Sequence, residues 1–150
     1  MKDSDLYETP PEIFRYASDK YGPFDLDACA LRDTRKIKAY MGPDHDAPEG
    51  RDALSANWSD YEPTATWMNP PYSNPKPWVE KALIEAKHGV KTVALLPADT
   101  STKWFHLILN ADCHIEYLPK RVRFLFKGKR CGSPKFGNVL VVFFPQVPFP

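Results

Sequence analysis

The sequence predicts an α/β protein with a mostly parallel sheet that ends in an antiparallel hairpin. Short apolar runs at residues 65–68 and 90–96 are each followed by a segment with helical periodicity, which is typical of a parallel sheet. Two later β-rich runs, residues 122–126 and 138–144, flank a basic loop and predict the hairpin. The chain has 150 residues, 43% of them hydrophobic, which is enough for one well-packed core. We therefore expect a single domain spanning residues 1–150.

The first predicted element is a helix that ends near Tyr21. Thr9-Pro10-Pro11-Glu12 has the form of a capping box, with Thr9 as N-cap and proline in the first helical position. The predicted apolar face consists of Ile13, Phe14, Ala17 and Tyr21. Residues 24–28 follow as a short strand in which apolar and acidic residues alternate. The small residues that end it, Ala28-Cys29-Ala30, would let a ligand approach the backbone.

The remaining elements follow from the same patterns, except in residues 31–64, where only polar turns can be recognised. Strands are predicted at residues 65–68, 90–96 and 113–118, and helices at residues 75–88 and 102–110. The inward face of the first of these helices is expected to contain Trp78, Val79, Ala82, Leu83 and Ala86. That of the second is expected to contain Trp104, Phe105, Ile108 and Leu109.

Composition restricts the classes of protein that the chain can represent. No apolar run approaches the roughly 20 residues of a membrane span, and the first eight residues are polar and acidic, unlike a signal peptide. We therefore expect a cytoplasmic protein. The three cysteines, Cys29, Cys113 and Cys131, lack paired C-x-x-C spacing, which argues against a disulfide framework or a structural zinc site. We expect no metal, and a monomer or weak dimer.

Charge is distributed unevenly along the chain. Residues 117–150 contain seven Lys or Arg and no acid, whereas residues 1–116 contain 13 Lys or Arg and 19 Asp or Glu. The basic residues are Lys120, Arg121, Arg123, Lys127, Lys129, Arg130 and Lys135. A basic loop of this kind favours a polyanionic partner such as a nucleic acid. The alternative is a solvated hairpin tip that keeps the protein in solution.

The most informative motif is Asn69-Pro70-Pro71-Tyr72, which follows the strand predicted at residues 65–68. Pro70 and Pro71 fix the backbone and remove two amide donors, so the loop is stiff and its carbonyls are free to accept hydrogen bonds. The Asn69 amide, a free carbonyl and the Tyr72 ring could together hold a planar ring that bears an exocyclic amine. The loop therefore predicts a methyltransferase that modifies a base, with an ordinary proline-rich turn as the alternative.

Taken in order, several stretches resemble the phage-type DNA N6-adenine methyltransferases, the small Dam-like family. The matching stretches are Tyr7-Glu8-Thr9-Pro10, Phe24-Asp25-Leu26-Asp27-Ala28, Asp52-Ala53-Leu54 with Trp58, Asn69-Pro70-Pro71-Tyr72, Leu95-Leu96-Pro97-Ala98, Trp104-Phe105-His106 and Arg123-Phe124. The resemblance implies a Rossmann-like sheet, S-adenosylmethionine as methyl donor and adenine N6 in DNA as acceptor. It also implies a phage or prophage gene product that acts in a bacterial host and protects or marks DNA.

The resemblance assigns roles to the residues of the proline-rich loop. The Asn69 side-chain oxygen and the Pro70 carbonyl would accept hydrogen bonds from the target amine, and Tyr72 would stack on the base. Pro71 would complete the catalytic loop. An amine inside a duplex is inaccessible to such a loop, so the adenine must be flipped out of the helix.

The resemblance also suggests residues for the cofactor. Asp52 lies 17 residues before Asn69, a spacing like that of the acid that binds the cofactor's adenine amine; a loop or capping acid is the alternative. Asp27 and Ala28 end the first strand and would face the methionine or ribose part. Thr9 and Pro10 resemble the segment that closes over the methionine, although capping alone could explain Thr9.

Two features depart from or extend the pattern. Many methyltransferases have a Gly-x-Gly loop after the first strand, but this chain has no glycine between Ala28 and Gly42. Its small size also leaves no separate DNA-recognition domain. The predicted DNA contacts are therefore placed in the basic loop, at Lys127, Lys129, Arg130 and Lys135.

Other functions remain compatible with the residues. The same loop chemistry suits an amine of an RNA base or the amide of a protein glutamine. The alternative to an enzyme is a noncatalytic nucleic-acid-binding module that has kept the fold and lost the cofactor site. The missing glycines are consistent with this alternative.

Overall fold

The structure is a computed structural model, and it describes residues 2–131 and 135–146. The helices are α1 (Pro11–Tyr21), α2 (Lys76–Lys87) and α3 (Lys103–Leu109). The strands are β1 (Leu26–Asp27), β2 (Thr66–Met68), β3 (Thr92–Pro97), β4 (Cys113–Tyr117), β5 (Leu125–Phe126), β6 (Lys129–Arg130) and β7 (Asn138–Phe143). None of the helices in the described ranges is long and apolar enough to span a membrane.

Five strands form one sheet in the order β1-β2-β3-β7-β4. β1, β2 and β3 run parallel, and β7 is antiparallel to both of its neighbours, so β4 runs in the same direction as β3. The prediction of a mostly parallel sheet is confirmed. Helices connect β2 to β3 and β3 to β4, as parallel strands require.

The predicted pairing of residues 122–126 with residues 138–144 is wrong. β7 lies inside the main sheet, and β5 pairs with β6 in a separate antiparallel hairpin. The turn of that hairpin places Lys127 and Gly128 at positive φ (51° and 78°), as a tight two-residue turn requires. Every residue of β7 is buried, and an apolar strand of six residues is covered best between two partners rather than at an edge.

Helices cover both faces of the sheet. On one face, α2 and α3 pack over Met68, Ala94 and Leu96. On the other face, α1 packs over Trp67, whose ring contacts Phe14 at 5.4 Å between ring centroids. Successive residues of a strand point to opposite faces, and because helices cover both faces, β2, β3 and β7 are buried along their whole length.

Two expectations about the helices are wrong. Thr9 does not cap α1: Pro10 occupies the N-cap, no side chain bonds to the first turn, and Thr9 is only 2% exposed. The Pro10 backbone is extended, so the helix begins one residue later than predicted. Leu109 is half exposed because it is the last residue of α3, whereas Trp104, Phe105 and Ile108 are buried as predicted.

Residues 39–42 run beside β1. They include Gly42, which lies close to the loop after β1, where many methyltransferases have a Gly-x-Gly sequence. The Met41 amide donates to the Asp27 carbonyl (2.8 Å), and the Ala30 amide donates to the Met41 carbonyl (3.0 Å). A Cβ atom on Gly42 would lie 1.7 Å from the Ala30 carbonyl oxygen, so only glycine fits there. The close backbone approach after the first strand is therefore made by a glycine supplied from a neighbouring segment.

Candidate active site

Two adjoining cavities lie where β1, β2 and β3 end, at the edge where open α/β sheets place their ligands. The first, here called the aromatic cavity, has a volume of about 670 Å³ and is lined by Tyr72, Trp104 and Phe124 among others. The second, here called the Asp52 cavity, has a volume of about 510 Å³. Tyr7, Asn69 and Ser73 line both cavities. The predicted catalytic loop therefore forms part of the boundary between them.

Asn69 and Pro70 occupy the turn that follows β2. The strand before the motif and the helix after it are both present, as predicted. Within residues 2–131 and 135–146, no group forms a hydrogen bond with the Asn69 side chain or with the Pro70 carbonyl. Both oxygen atoms are therefore available to accept hydrogen bonds from a ligand. Pro71 lines the Asp52 cavity, so the loop borders both spaces.

Tyr72 is held rigidly at the wall of the aromatic cavity. Its hydroxyl donates to the Leu95 carbonyl (2.8 Å) and accepts from Asn138 Nδ2 (3.2 Å). Its ring meets the Phe124 ring nearly at right angles, with 5.5 Å between centroids. Burial raises the pKa of the Tyr72 hydroxyl well above its ordinary value, so the group stays neutral. The ring is thus a fixed apolar surface, and its stacking on a base stays a prediction.

The N-terminal segment contributes residues that the sequence did not identify as part of the site. Glu8 exchanges backbone hydrogen bonds with Leu125 (2.8 and 2.9 Å), which brings Tyr7 next to the hairpin. The Tyr7 ring is stacked on Phe124 at 6.2 Å between centroids. Tyr7 belonged to one of the recognised motifs, but nothing in the sequence connected it to Phe124, more than 100 residues away.

Asp5 and Ser73 connect that segment to the predicted catalytic loop. The Asp5 carboxylate accepts hydrogen bonds from the Ser73 amide (3.2 Å) and hydroxyl (2.9 Å). Partial burial opposes ionisation, but these hydrogen bonds outweigh it and lower the pKa of Asp5. Asp5 should therefore be ionised at neutral pH and hold Ser73 beside Asn69. No sequence signal indicated this pair.

Asp52 lines the second cavity and also stabilises its own turn. Its carboxylate accepts hydrogen bonds from the Leu54 amide (3.1 Å) and the Ser55 hydroxyl (2.7 Å). Asp52 therefore lines the cavity and also stabilises its own loop, and its contact with the cofactor's adenine amine stays a prediction. The other walls are mostly apolar and include Ala30, Met41, Leu54 and Trp78.

Asp27 and Ala28 lie behind the Asp52 cavity rather than in its wall. Asp27 is 2% exposed, and its carboxylate accepts hydrogen bonds from the amides of Lys36 (2.9 Å) and Cys29 (3.4 Å). Burial raises the pKa of Asp27 to about 7. Because residues 29–34 contribute Cys29 and Ala30 to the wall, Asp27 shapes the cavity by holding this loop.

Thr9 and Pro10 also lie outside the walls of both cavities. Both residues are buried, and Thr9 is only 2% exposed. Their placement does not support the predicted contact with a cofactor. Among the N-terminal residues, it is Asp5, Leu6 and Tyr7 that line the Asp52 cavity.

The predicted DNA-binding residues are grouped around the hairpin. Lys127, Lys129 and Arg130 are exposed on the β5–β6 hairpin, and Lys135 lines the aromatic cavity. The Arg130 guanidinium forms an ion pair with Glu12 (2.6 Å), which ties the hairpin to α1. Three of the four cations are therefore directed toward solvent or the cavity, while Arg130 also has an internal partner.

The chain matches the family described as DNA N-6-adenine-methyltransferase (Dam) over residues 1–146. The chain belongs to the Dam family. It is 34% identical over 152 residues to the DNA N-6-adenine-methyltransferase of Haemophilus phage HP1 (strain HP1c1), an alignment that covers 98% of this chain and 83% of the relative. It is 35% identical over 101 residues to the DNA N-6-adenine-methyltransferase of Escherichia phage T1, covering 67% of this chain and 39% of the relative. The family resemblance seen in the motifs is confirmed.

The cysteines of this Dam-family chain are free and half-buried at all three positions, Cys29, Cys113 and Cys131. Among the residues that the structure describes, no group of three or more His, Cys, Asp or Glu side chains could hold a metal ion. The polar side chains that line the two cavities carry amide, hydroxyl, carboxylate, ammonium, guanidinium and thiol groups.

Proposed function

We propose that this Dam-family protein transfers a methyl group from S-adenosylmethionine to N6 of an adenine in DNA. In this proposal the Asp52 cavity holds the cofactor and the aromatic cavity holds the base. The observation that carries it is the position of Asn69, which lines both cavities and whose side chain forms no hydrogen bond with the part of the chain that the structure describes. A methyl group that passes between two ligands must cross their common boundary, so the acceptors for the amine belong there.

The residues of the Asp52 cavity fit the proposed cofactor. Its volume of about 510 Å³ lies within the roughly 300–1,000 Å³ of ligand pockets. Leu54 and Trp78 offer apolar surface for an adenine ring, and Asp52 offers a carboxylate for an amine or hydroxyl donor. S-adenosylmethionine supplies, when bound, a methyl group attached to a positively charged sulfur.

The catalytic contribution of the loop is electrostatic. The lone pair of adenine N6 is delocalised into the ring, so the nitrogen is a poor nucleophile. Acceptance of its hydrogen bonds by Asn69 Oδ1 and the Pro70 carbonyl raises its electron density. These bonds strengthen as the nitrogen becomes tetrahedral and positively charged, and they therefore favour the transition state over the ground state. Pro70 and Pro71 keep the acceptors in place because their φ angles are fixed.

The aromatic cavity suits a base removed from the duplex. Flipping costs a few kcal/mol, which stacking on aromatic rings partly offsets. The Tyr72 ring is held in place, because its hydroxyl forms hydrogen bonds with residues of two strands of the sheet. The volume of about 670 Å³ leaves room for the sugar and phosphate as well as the base.

The basic hairpin is proposed to contact the DNA backbone beside the flipped base. Lys127 and Lys129 are exposed near its tip, and Lys135 lies at the cavity itself. Arg130 would contribute through its pair with Glu12, which orients the hairpin and holds the guanidinium away from DNA. Removal of the three lysines should weaken DNA binding and flatten its salt dependence.

We extend the proposal to the whole chain. The parallel strands with their crossover helices support a Rossmann-like methyltransferase sheet, and we propose one methyltransferase domain that is a monomer or weak dimer. The two phage relatives support a phage or prophage gene product that acts in the cytoplasm of a bacterial host. The presence of both cavities, with the Asn69 side chain open to a ligand between them, favours an enzyme over a noncatalytic binding module.

The test is transfer of labelled methyl from S-adenosylmethionine to duplex DNA, followed by digestion to nucleosides. N6-methyladenine should form with the wild type and with Asn110→Ala, an exposed asparagine at the end of α3, but not with Asn69→Ala. Label found only in RNA or in a glutamine-containing peptide would contradict the assignment of the acceptor. Absence of cofactor binding would instead support the noncatalytic module.

A further inference from the structure

Helix α2 carries two charged side chains on its buried side, where the sequence predicted only apolar residues. Glu85 is 0% exposed and Lys81 is 9% exposed. The Lys81 ammonium lies 3.7 Å from Glu85 Oε2, one helical turn away. His88, half exposed in the next turn, places its Nδ1 3.5 Å from the same oxygen. Within the described ranges Glu85 Oε2 accepts no hydrogen bond, so its polar contacts are the Lys81 ammonium and the His88 ring.

Both charged groups bind the backbone that leads away from the Asp52 cavity. Glu85 Oε1 accepts a hydrogen bond from the Trp58 amide (2.9 Å). Lys81 Nζ donates to the Ala56 carbonyl (2.5 Å) and lies 5.9 Å from the centre of the Trp58 ring. The segment around Trp58 is therefore fixed to α2 by two charge-assisted hydrogen bonds, which are stronger than neutral ones.

Trp58 in turn binds a residue of the cavity wall. Its indole Nε1 donates to the Ala53 carbonyl (2.9 Å), and the side chain is completely buried. Asp52, Ala53 and Leu54 all line the Asp52 cavity. A continuous chain of hydrogen bonds thus runs from Glu85 through Trp58 to the residue that follows Asp52.

The same helix supplies another part of the cavity wall. Trp78 lies in the first turn of α2 and lines the Asp52 cavity, and Asn69 precedes the helix by a short loop. Buried ion pairs contribute little net stability compared with apolar residues of the same size, whereas they can enforce one arrangement. The arrangement enforced here is the spacing between these two parts of the cavity wall.

We propose that Glu85 is a positioning residue for the cofactor, which acts through Trp58 to hold Ala53 and so presents Asp52 to S-adenosylmethionine. The inference rests on the proposed function, because it assumes that the Asp52 cavity holds the cofactor. Lys81 supports Glu85 by balancing its charge and by holding Ala56.

The primary measurement is the dissociation constant of labelled S-adenosylmethionine, obtained by equilibrium dialysis. Glu85→Ala should weaken binding about tenfold, the size expected for the loss of one charge-assisted hydrogen bond. Glu85→Gln should restore most of the affinity, because its amide oxygen can still accept from the Trp58 amide. Glu80→Ala, an exposed acid on the same helix, is the matched control and should bind as the wild type does. For each variant, the rate of methylation at saturating cofactor should change by a smaller factor than the dissociation constant of the cofactor.

A double-mutant cycle separates positioning from general destabilisation. If Glu85 acts through Asp52, then Glu85→Ala should have little further effect on affinity in an Asp52→Ala background. Trp58→Phe keeps an aromatic ring but loses the indole donor and part of the buried volume, and it should weaken binding as Glu85→Ala does. This variant provides the test if Glu85→Ala does not fold.

The outcomes distinguish the two proposals. An unchanged dissociation constant in Asp52→Ala would remove the cofactor assignment and with it this inference. Weaker binding in Asp52→Ala, together with wild-type affinity in both Glu85→Ala and Trp58→Phe, would overturn the inference alone. Fully additive effects in the cycle would also overturn it, because Glu85 would then act independently of Asp52.

Discussion

Replacement of Asp27 by asparagine should remove a pH dependence from the stability of this protein. Asp27 is almost fully buried, and burial raises its pKa from 3.8 to about 7 despite hydrogen bonds from two amides. At about 1.4 kcal/mol per pKa unit, ionisation of this carboxyl should lower the free energy of unfolding by about 4 kcal/mol. The raised pKa fixes the direction of the effect. The stability that the folded protein gains by keeping Asp27 protonated is complete below pH 4. It declines as the pH rises toward 7 and is absent above pH 7.

The Asp27→Asn variant should lack this decline because its side chain cannot ionise. The asparagine oxygen can still accept from the Lys36 amide, so the stronger of the two hydrogen bonds is kept. The stability of the variant relative to the wild type should therefore rise between pH 4 and pH 7 and become constant above pH 7.

The assay is urea denaturation at a series of pH values from 4.5 to 8, with the wild type and the variant in parallel. The difference between their free energies of unfolding isolates Asp27, because the other titrating groups are common to both proteins. Asp19→Asn, an exposed acid on α1, serves as the control. A difference between Asp27→Asn and wild type that does not change with pH would refute the reasoning.

Three further substitutions test other parts of the structure. Tyr72→Phe keeps the ring but leaves the Leu95 carbonyl without its donor, so we expect a loss of about 1–2 kcal/mol in the free energy of unfolding and little change in turnover. Glu12→Gln releases Arg130 for DNA, so the slope of log affinity against log salt should steepen by about 0.9. Gly42→Ala places a Cβ against the Ala30 carbonyl, and the midpoint of thermal unfolding should fall by several degrees.

Each of these expectations has a result that would contradict it. Wild-type stability of Tyr72→Phe would show that the hydroxyl does not fix the ring. An unchanged salt slope for Glu12→Gln would mean that Arg130 does not reach DNA. Unaltered thermal unfolding of Gly42→Ala would contradict the close approach of the two backbone segments.

The local elements could be predicted because the residues that determine them are neighbours in the chain. α2 lies within the helix expected at residues 75–88, and β3 overlaps the strand expected at residues 90–96 and extends one residue further, to Pro97. The loop that contains Asn69 and Pro70 was recognisable because two prolines restrict their own backbone wherever they occur. Family membership followed from the ordered motifs for the same reason.

Long-range pairing could not be read from these patterns. β7 has the composition of a buried strand, but composition does not say whether its partners are β3 and β4 or the preceding run at residues 122–126. Asp27 and Asp52 are both acids of recognised motifs, yet of these two only Asp52 reaches a cavity wall. Which of two similar acids faces a ligand depends on how the surrounding loops pack.

The sequence by itself determined the class of fold, the proline-rich loop after β2 and the family, since each of these depends on residues close together in the chain. The tertiary structure determined which residues come together in the site. Tyr7 and Phe124, Asp5 and Ser73, and Glu85 and Trp58 meet only after the sheet has assembled. Their contacts exist because burial of the whole core selects one arrangement of distant segments, and no local preference specifies that choice.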